Sequence, residues 1–402
     1  MIANEATYLL KPGELTLKGG NREGFEQILR RNLIRLLSAA LGRKNFRVEN
    51  TNGRYYVFCG EEETGITEKI LDRLFGIAGW AKARKTGKTP EEVMAACAEE
   101  GRELSRRGIR SFKIEARRTD KSFPLSSYEI CCLAGDRVRE AAPELEVRVK
   151  NPEAVIGVEI REKAFIYGDA RRGLGGLPVG TAGRGLLLLS GGIDSPVAGW
   201  MMAGRGMGID AVYFHAYPYT SEEARQKVIK LAGIVGSYTM GIRLHCIGFT
   251  KVQLRIKEGA PPAWSTVMLR MAMMECAERI ARRNRCRCLI TGESLSQVAS
   301  QTIENLSCTQ SRLKLPVLRP LIGMNKDGII RMAESINTYE TSILPYADCC
   351  SIFSPPHPIL RGNTDEANRL YEGLQLEDLL DEALKEVKTE KCGAAGLFQN
   401  SG

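Results

Sequence analysis

The chain has 402 residues, of which 43% are hydrophobic and 26% charged, and its formal net charge is +9. This length exceeds what a single hydrophobic core supports, so we expect two or three domains. No apolar run reaches the roughly 18–20 residues of a membrane span, and the start lacks the pattern of a secretory signal, so we expect a cytoplasmic protein without a membrane partner.

The first 60 residues predict a small α+β domain. Its expected elements are a strand, an amphipathic helix and two strands joined by an Asn-Gly turn (6–10, 25–41, 46–50 and 54–59). A glycine-rich turn with a charged rim, Gly13–Arg22, connects the first strand to the helix. Lys18 and Arg22 are two of the cations on this rim.

Residues 61–167 predict a second small α+β domain, and the glycine-rich segment 168–184 predicts a linker. The expected helices and strands are 91–107 and 128–141, and 111–116, 146–149, 155–160 and 163–167. Basic side chains are dense between Arg102 and Lys121, where Lys113, Arg117 and Arg118 also lie. Such density is typical of a surface that binds a phosphate backbone. A solvated helix face accounts for the same charges equally well.

Between residues 185 and 390 strands and helices alternate strictly. Continuous apolar strands are expected at 186–189, 210–214, 243–248 and 287–291, with helices at 196–204, 222–235 and 262–283 between them. Strands of this kind imply a parallel sheet with helices on both faces. An acidic amphipathic helix is expected at 374–387, and the residues after it, including the tail 391–402, are expected to be frayed.

One loop of this third domain carries the strongest chemical signal. Four leucines, Leu186–Leu189, lead into the sequence Ser-Gly-Gly-Ile-Asp-Ser-Pro at Ser190–Pro196. A buried strand would deliver this loop to the carboxyl edge of the sheet, where ligands bind in such folds. The glycines let backbone N–H groups approach an anion, the following helix adds its positive N-terminus, and Ser190 and Ser195 add hydroxyl donors. Asp194 beside phosphates requires a cation, so we assign it to Mg²⁺ or to orienting the attacking group.

The loop resembles the PP-loop of ATP pyrophosphatases, which cleave ATP between the α and β phosphates. The whole chain, over about residues 5–390, is similar to the tRNA 4-thiouridine synthetase (tRNA sulfurtransferase) family. The segments that carry this resemblance are Gly13–Arg22, Phe112–Lys121, the PP-loop, Thr291–Thr302, Arg319–Lys326 and Pro345–Cys350. The resemblance implies an α/β fold in which a ferredoxin-like domain (1–60) and a THUMP RNA-binding domain (61–167) precede a parallel-sheet PP-loop domain (185–390).

The resemblance also implies which residues form the ATP site. The nucleotide would be held by Leu188, Leu189, Ser190, Gly191, Gly192, Asp194 and Ser195, the adenine would be bordered by Tyr213 and Phe214, and the site would be completed by Arg270, Gly292 and Gln301. Without the resemblance, Arg270 would be interpreted as an exposed helix arginine. The expected RNA contacts are Lys18, Arg22, Lys113, Arg117, Arg118 and Lys121.

The family's reaction adenylates O4 of the uridine at tRNA position 8, and a persulfide sulfur then replaces that oxygen to give 4-thiouridine, AMP and pyrophosphate. This chemistry needs a thiol near the PP-loop. Among twelve cysteines, Cys349 and Cys350 are the best candidates because they lie in a loop bounded by proline and aromatic residues. Alignment with the family segment favours Cys349, and a packed free thiol is the alternative. The pair Cys131 and Cys132 lies in a helical pattern and is expected in the core.

Many family members carry a C-terminal rhodanese domain with a persulfide cysteine, whereas this sequence stops at Gly402. We therefore expect a separate persulfide donor, such as a cysteine desulfurase, and no role in thiamin thiazole synthesis. The other expected ligands are ATP with Mg²⁺ and tRNA, and the sequence leaves open whether the chain forms a homodimer. Two other classes are compatible with parts of the sequence. A small-molecule PP-loop synthetase leaves the first 170 residues without a task, and a non-enzymatic RNA-binding protein does not account for the intact loop.

Overall fold

The structure is a computed structural model that describes residues 5–14, 20–43, 45–51, 53–346 and 355–393. The chain divides into two compact units. The first contains the residues up to Arg22 and Leu33–Gly176, and the second contains Glu23–Asn32 and the residues from Leu177 onward. Within the described ranges, no helix is both long and apolar enough to cross a membrane.

The first unit contains two sheets, and one of them is antiparallel throughout. Its strands are β1 (Glu5–Pro12), β2 (Phe46–Thr51), β3 (Arg54–Gly60), β4 (Ile77–Lys82) and β10 (Ala170–Arg172), and the helices of this part of the chain are α1 (Arg22–Leu41) and α2 (Thr64–Leu71). The strand order is β10-β4-β1-β3-β2. The predicted strand, helix and hairpin are confirmed. The sheet also takes in β4, beyond the boundary predicted at residue 60, and β10, within the predicted linker.

The second sheet of this unit shares a core with two helices. Its strands are β5 (Arg84–Thr86), β6 (Ser111–Arg118), β7 (Glu146–Val147), β8 (Ala154–Ile160) and β9 (Ala164–Tyr167), and its helices are α3 (Pro90–Arg106) and α4 (Ser127–Ala141). The strand order is β5-β9-β8-β6-β7, with β6 parallel to both of its neighbours. Each helix begins with a capping box, in which the Thr89 or Ser126 hydroxyl accepts a hydrogen bond from the backbone N–H three residues later.

The second unit is built on a six-stranded sheet with the order β15-β14-β11-β12-β13-β16. Its strands are β11 (Arg184–Leu188), β12 (Gly208–His215), β13 (Ile242–Gly248), β14 (Leu289–Ile290), β15 (Val317–Leu318) and β16 (Lys388–Cys392). Its helices are α5 (Asp194–Gly204), α6 (Glu222–Tyr238), α7 (Thr250–Gly259), α8 (Ser265–Arg283), α9 (Ile303–Gln310), α10 (Lys326–Ser335), α11 (Tyr339–Ser342), α12 (Thr364–Gly373) and α13 (Glu377–Lys385).

The strand order positions a ligand site. From β11 the chain moves to β12 and β13 on one side, and it later returns to β14 and β15 on the other side. The connections therefore reverse direction between β11 and β14, and ligands bind outside the carboxyl ends of the strands at such a switch point. The predicted fold class, with small α+β domains before a parallel α/β domain, is confirmed.

The end of this sheet differs from the sequence-based expectation. Lys388–Cys392 were expected to be frayed, but they form β16, which runs antiparallel to β13 and pairs Cys392 with Ile242. The hydroxyl oxygen of Thr389 lies 2.8 Å from Nδ1 of His245 on β13. An edge strand is half exposed, so the polar sequence Lys-Thr-Glu-Lys gives no apolar pattern from which the strand could be predicted.

Candidate active site

The loop after β11 lies at the switch point, and its own hydrogen bonds fix its shape. The Ser190 N–H donates to Ser195 Oγ (2.9 Å), and the Gly192 N–H donates to Ser190 Oγ (3.2 Å). Helix α5 begins at Asp194, so its positive N-terminus coincides with the end of the loop. The loop therefore presents hydroxyl groups and a helix terminus at one place, an arrangement that suits a phosphate group.

Gly292, two residues after β14, allows the neighbouring strand to approach this loop. A Cβ atom on Gly292 would lie 2.7 Å from the backbone nitrogen of Ser195 and 2.8 Å from the carbonyl carbon of Asp194. Both neighbours are backbone atoms, which cannot rotate away as a side chain could. The close approach of the two segments therefore requires glycine at this position.

A cavity of about 220 Å³ opens beside the loop. Eleven of the twelve predicted nucleotide contacts line it, namely Leu188, Leu189, Ser190, Gly192, Asp194, Ser195, Tyr213, Phe214, Arg270, Gly292 and Gln301. The twelfth, Gly191, does not. Five further wall residues were missed in the sequence, namely Val212, Met273, Met274, Thr291 and Glu293. An apolar wall with a few convergent polar groups is typical of a small-molecule site.

The Asp194 carboxylate is bound by two side chains from distant segments. Its Oδ1 accepts a hydrogen bond from Lys326 Nζ at 2.6 Å, and its Oδ2 accepts one from Gln297 Nε2 at 3.1 Å. Lys326 is the first residue of α10 and lies 132 positions further along the chain. The ion pair therefore holds an ammonium group beside the loop, and no sequence pattern pointed to this contact.

Glu293 is a buried carboxylate held between two arginines. Its Oε1 accepts a hydrogen bond from Arg270 Nη2 at 2.5 Å, and its Oε2 accepts one from Arg319 Nε at 2.7 Å and another from Thr291 Oγ1 at 2.8 Å. Burial raises the pKa of the Glu293 carboxyl, but the two guanidinium groups outweigh burial and hold this pKa below its usual range. Because Arg270 lines the cavity, Glu293 fixes the position of a cation there.

Ten cysteines lie among the described residues, and none of these ten lines the cavity. Eight of them are buried. Burial raises the pKa of Cys276 and Cys286 to about 12 and that of Cys288 to about 11. Such thiols are protonated at neutral pH and are therefore poor nucleophiles.

Of the two pairs of adjacent cysteines, the structure describes only Cys131 and Cys132. Cys132 is exposed and Cys131 is half-buried, so the prediction that this pair lies in the core is wrong for Cys132. Helical neighbours point roughly 100° apart, and only one of two adjacent side chains can face the sheet. Cys349 and Cys350, predicted to handle sulfur, lie outside the residues that the structure describes.

The predicted RNA contacts of the first unit separate into exposed and inward-facing side chains. Lys113 and Arg117 lie on the same face of β6, with Glu115 between them. Lys113 Nζ lies 2.6 Å from Glu115 Oε1. Arg118 points to the other face, where its Nη1 donates to the carbonyl oxygens of residues 123 and 125 at 2.8 and 2.9 Å. Lys121 is exposed, Arg22 is the first residue of α1, and Lys18 lies outside the described residues.

The basic residues of α3 and of its C-cap, Arg107, are largely neutralised by neighbouring carboxylates. Arg106 forms an ion pair with Glu103 at 2.6 Å, and Arg107 forms one with Asp169 at 3.3 Å. Arg102 is paired with Glu99. This part of the predicted cluster therefore has the solvated helix face that was the alternative interpretation.

Three parts of the chain match known families. Residues 7–81 match the ThiI ferredoxin-like domain, residues 88–169 match the THUMP domain, and residues 180–376 match the family described as thiamine biosynthesis protein (ThiI).

Similar proteins cover the chain from end to end. A probable tRNA sulfurtransferase of Treponema pallidum (strain Nichols) is 46% identical, with 100% of both chains covered. One of Thermoanaerobacter pseudethanolicus is 45% identical and covers 94% of this chain and 98% of its own. The crystal structure of a 4-thiouridine synthetase–RNA complex with bound ATP is 37% identical, with a TM-score of 0.88, and the match covers 96% of this chain and 99% of that one.

Proposed function

The chain belongs to the ThiI family of tRNA sulfurtransferases, and we propose that it uses ATP to convert uridine 8 of tRNA to 4-thiouridine. As a family member it is an ATP-dependent tRNA-thiolating enzyme, and the family recognition made from the sequence is confirmed. The single observation that carries the reaction at this site is the position of the Ser190–Ser195 loop, at the switch point and beside the cavity.

The first half-reaction is the activation of the base. ATP would occupy the cavity with its adenine near Tyr213 and Phe214 and its phosphates on the loop. The uridine O4 attacks the α-phosphorus, the bond to the β-phosphate oxygen breaks, and pyrophosphate leaves with that electron pair. Arg270, a permanent cation, lines the cavity, and Lys326 is paired with Asp194 of the loop, so both would stabilise the charge that develops on the leaving group.

Mg²⁺ fits this site only together with the nucleotide. Among the described residues there is no group of three or more His, Cys, Asp or Glu side chains that could hold a metal ion. Mg²⁺ is commonly bound through one or two carboxylates and the substrate phosphates, and Asp194 is a carboxylate at the loop. Asp194 would hold the ion, which would neutralise phosphate charge, and its Lys326 partner would then be free to contact an oxygen of the phosphates.

The second half-reaction brings in sulfur. The terminal sulfur of a persulfide attacks C4 of the adenylated uridine, and AMP leaves with the C–O electron pair. A second thiolate then attacks the inner sulfur, so that a disulfide forms and the sulfur stays on C4 as 4-thiouridine. We assign this thiol chemistry to Cys349, with Cys350 as its neighbour. None of the ten described cysteines lines the cavity, and burial raises the pKa of thiols such as Cys276 and Cys286. The persulfide would come from a separate donor such as a cysteine desulfurase.

One experiment separates the two half-reactions. The parental protein should release pyrophosphate from ATP in a tRNA-dependent way and form 4-thiouridine when a persulfide donor is added. Asp194→Ala should lose both activities while its tRNA affinity stays nearly unchanged. Cys349→Ser should keep pyrophosphate release but lose 4-thiouridine.

Cys132→Ser is the matched control, because Cys132 is an exposed thiol on α4 of the first unit, and this variant should keep both activities. Full thiolation by Asp194→Ala would remove the loop from the reaction. Full thiolation by Cys349→Ser would remove that thiol.

A further inference from the structure

The amino ends of the strands in the second unit carry a dense group of arginines, at the edge of the sheet opposite the cavity. Arg184 begins β11, and Arg243 is the second residue of β13. Arg282 and Arg283 end α8, and Arg285 and Arg287 follow in the segment that leads into β14. The Arg287 N–H donates to the Arg184 carbonyl oxygen at 2.8 Å, so these segments are adjacent. We call the six residues the amino-edge cluster.

The outward direction of the last two arginines follows from an alternating pattern. Arg285 and Arg287 are exposed, whereas Cys286 and Cys288 between and after them are buried. The Cys288 thiol lies 3.6 Å from the Met207 sulfur, which anchors this segment against the sheet. Arg287 lies between the two buried cysteines, and Arg285 lies in the turn after α8, so both guanidinium groups are left in solvent while the cysteines pack inward.

Carboxylates neutralise only part of the cluster. Asp210 is fully buried and pairs with both Arg184, at 2.6 Å, and Arg243. Arg282 lies 3.5 Å from Glu278. Within the described ranges, neither Arg285 nor Arg287 belongs to an ion pair. Six guanidinium groups therefore share two carboxylates, and the surface keeps a strong positive charge.

A purely structural role explains four members. Arg184 and Arg243 compensate the charge of the buried Asp210. Cations in the last turn of a helix stabilise its partial negative charge, which accounts for Arg282 and Arg283 at the end of α8. Arg285 has a φ of +58°, in the left-handed region where glycine is favoured and a side chain is unfavourable. Its N–H donates to the Arg282 carbonyl oxygen at 3.2 Å and the Cys286 N–H donates to the Ala281 carbonyl oxygen at 2.8 Å, so this conformation closes the end of α8. That closure uses backbone groups alone and does not require an arginine side chain.

We propose that the amino-edge cluster is a second RNA-binding surface that contacts the phosphate backbone of tRNA away from the reacting base. The proposal rests on tRNA being the substrate. Guanidinium forks match phosphate oxygens in geometry and charge. If the cluster bound another protein, we would expect exposed apolar side chains beside the arginines to anchor that partner. The exposed large hydrophobic residues among those described lie in other segments. β12 has eight residues, so the cluster and the cavity lie roughly 25 Å apart, and a folded RNA is long enough to reach both.

The proposal is tested by tRNA binding at several salt concentrations, with the double variant Arg285→Gln/Arg287→Gln and the control Arg369→Gln. Arg369 is exposed on α12 of the same unit, beside acidic residues. The double variant should bind tRNA roughly fivefold more weakly per lost phosphate contact at 0.15 M salt, and its slope of log K against log salt should fall by about one per contact. The control should bind like the parental protein. Pyrophosphate release at saturating tRNA should be the same in all three.

The single variant Arg285→Gly separates binding from folding. Glycine relieves the left-handed conformation, so this variant should unfold at a higher denaturant concentration than the parental protein and yet bind tRNA more weakly. Higher stability with parental affinity would make Arg285 an ordinary surface residue and overturn the proposal.

Two further outcomes are also decisive. If tRNA binding is unchanged but thiolation falls with a protein persulfide donor and not with inorganic sulfide, the cluster binds an acidic protein and the RNA proposal is wrong. If the parental protein itself does not bind tRNA, the proposed function fails, which distinguishes that failure from a failure of this inference alone.

Discussion

At the scale of single residues, the cavity depends on carboxylates that do not themselves need to touch the substrate. Glu293 is buried between Arg270 and Arg319, and only Arg270 of these two lines the cavity. The negative charge of Glu293 keeps two guanidinium groups close together that would otherwise repel each other. We therefore regard Glu293 as a positioning residue, which acts on ATP through Arg270.

We predict that Glu293→Gln raises the KM for ATP and lowers tRNA-dependent pyrophosphate release by about 10- to 100-fold. A displaced catalytic or binding group commonly costs about this much. The amide keeps the size of the side chain but cannot compensate two arginines, so Arg270 should move away from the phosphates. Steady-state kinetics with ATP as the varied substrate measures the effect.

The matched control is Glu278→Gln on α8. Glu278 is also buried and also accepts hydrogen bonds, from the backbone N–H groups of Lys314 and Leu315, but it does not line the cavity. This variant should lose stability and keep its KM for ATP. If both variants change the KM equally, Glu293 affects only the fold.

The residues of this site were predictable where they are contiguous. The serines, glycines and aspartate of the loop form one short motif, and all but Gly191 line the cavity. Glu293, Lys326 and Thr291 were not assigned a role, because their contacts depend on how separate segments fold together. Lys326, for example, meets Asp194 from 132 positions away.

At the scale of elements, β16 shows how a polar segment can complete an apolar sheet. The His245 ring on β13 is buried, and its Nδ1 contacts the Thr389 hydroxyl of β16. Burial lowers the pKa of His245, Asp210 opposes this shift, and Arg243 adds to it. The folded protein therefore holds this ring neutral below the pH at which an unfolded chain protonates it.

We predict that acid weakens the fold through the buried His245 ring. The pKa of His245 is lower in the folded than in the unfolded state, so the unfolded state binds the proton first as pH falls below about 6.5. The free energy of unfolding should therefore decrease from about pH 6.5 down through the lowered pKa. Urea unfolding at pH 8 and pH 5.5 should show a smaller pH effect in His245→Asn than in the parental protein.

Comparing His245→Asn with Thr389→Val shows whether the pH effect comes from the imidazole itself or from its contact with the Thr389 hydroxyl. Thr389→Val removes the hydroxyl partner but keeps the imidazole, so it should be less stable at both pH values and keep the parental pH effect. His215, whose pKa is also lowered by burial, remains in every protein of the series. An unchanged pH effect in His245→Asn would show that His245 does not contribute.

Elements with a regular apolar pattern were predictable, and short polar ones were not. The strands 54–59, 210–214 and 243–248 lie within β3, β12 and β13, which are buried and apolar. β5 and β10 have three residues each, all exposed or half-buried, so pairing with a neighbour stabilises them rather than their own composition.

At the scale of the whole molecule, charge is distributed over surfaces with different degrees of neutralisation. The arginines of α3 are paired with carboxylates, Arg117 is exposed, and Arg118 is turned inward to the carbonyls of Phe123 and Leu125. The net charge of +9 therefore does not indicate by itself which cations meet RNA. The overall domain plan was predictable because each domain has its own pattern, and the assignment of surfaces required the structure.

We predict that Arg117→Glu and Arg118→Glu differ. Arg117→Glu should keep its stability, bind tRNA more weakly and reduce the salt slope by about one unit or more. Arg118→Glu should lose stability, by about 1–3 kcal/mol, because two carbonyl groups lose their donor and meet a carboxylate. Salt-dependent tRNA binding and urea unfolding of both variants measure this. Equal stability of the two variants would contradict the inward role of Arg118, and unchanged binding by Arg117→Glu would contradict an RNA contact there.

The place of β16 in the sheet has a consequence for biosynthesis. A ribosome makes the chain from first residue to last at about 5–20 residues per second, so the segment from Gly248 to Lys388 takes on the order of ten seconds. Throughout that interval the outer edge of β13 is made but has no partner, and an open strand edge can pair with other chains. The nascent second unit therefore exposes an open strand edge during synthesis, and lowered temperature during expression should raise the soluble yield of the protein.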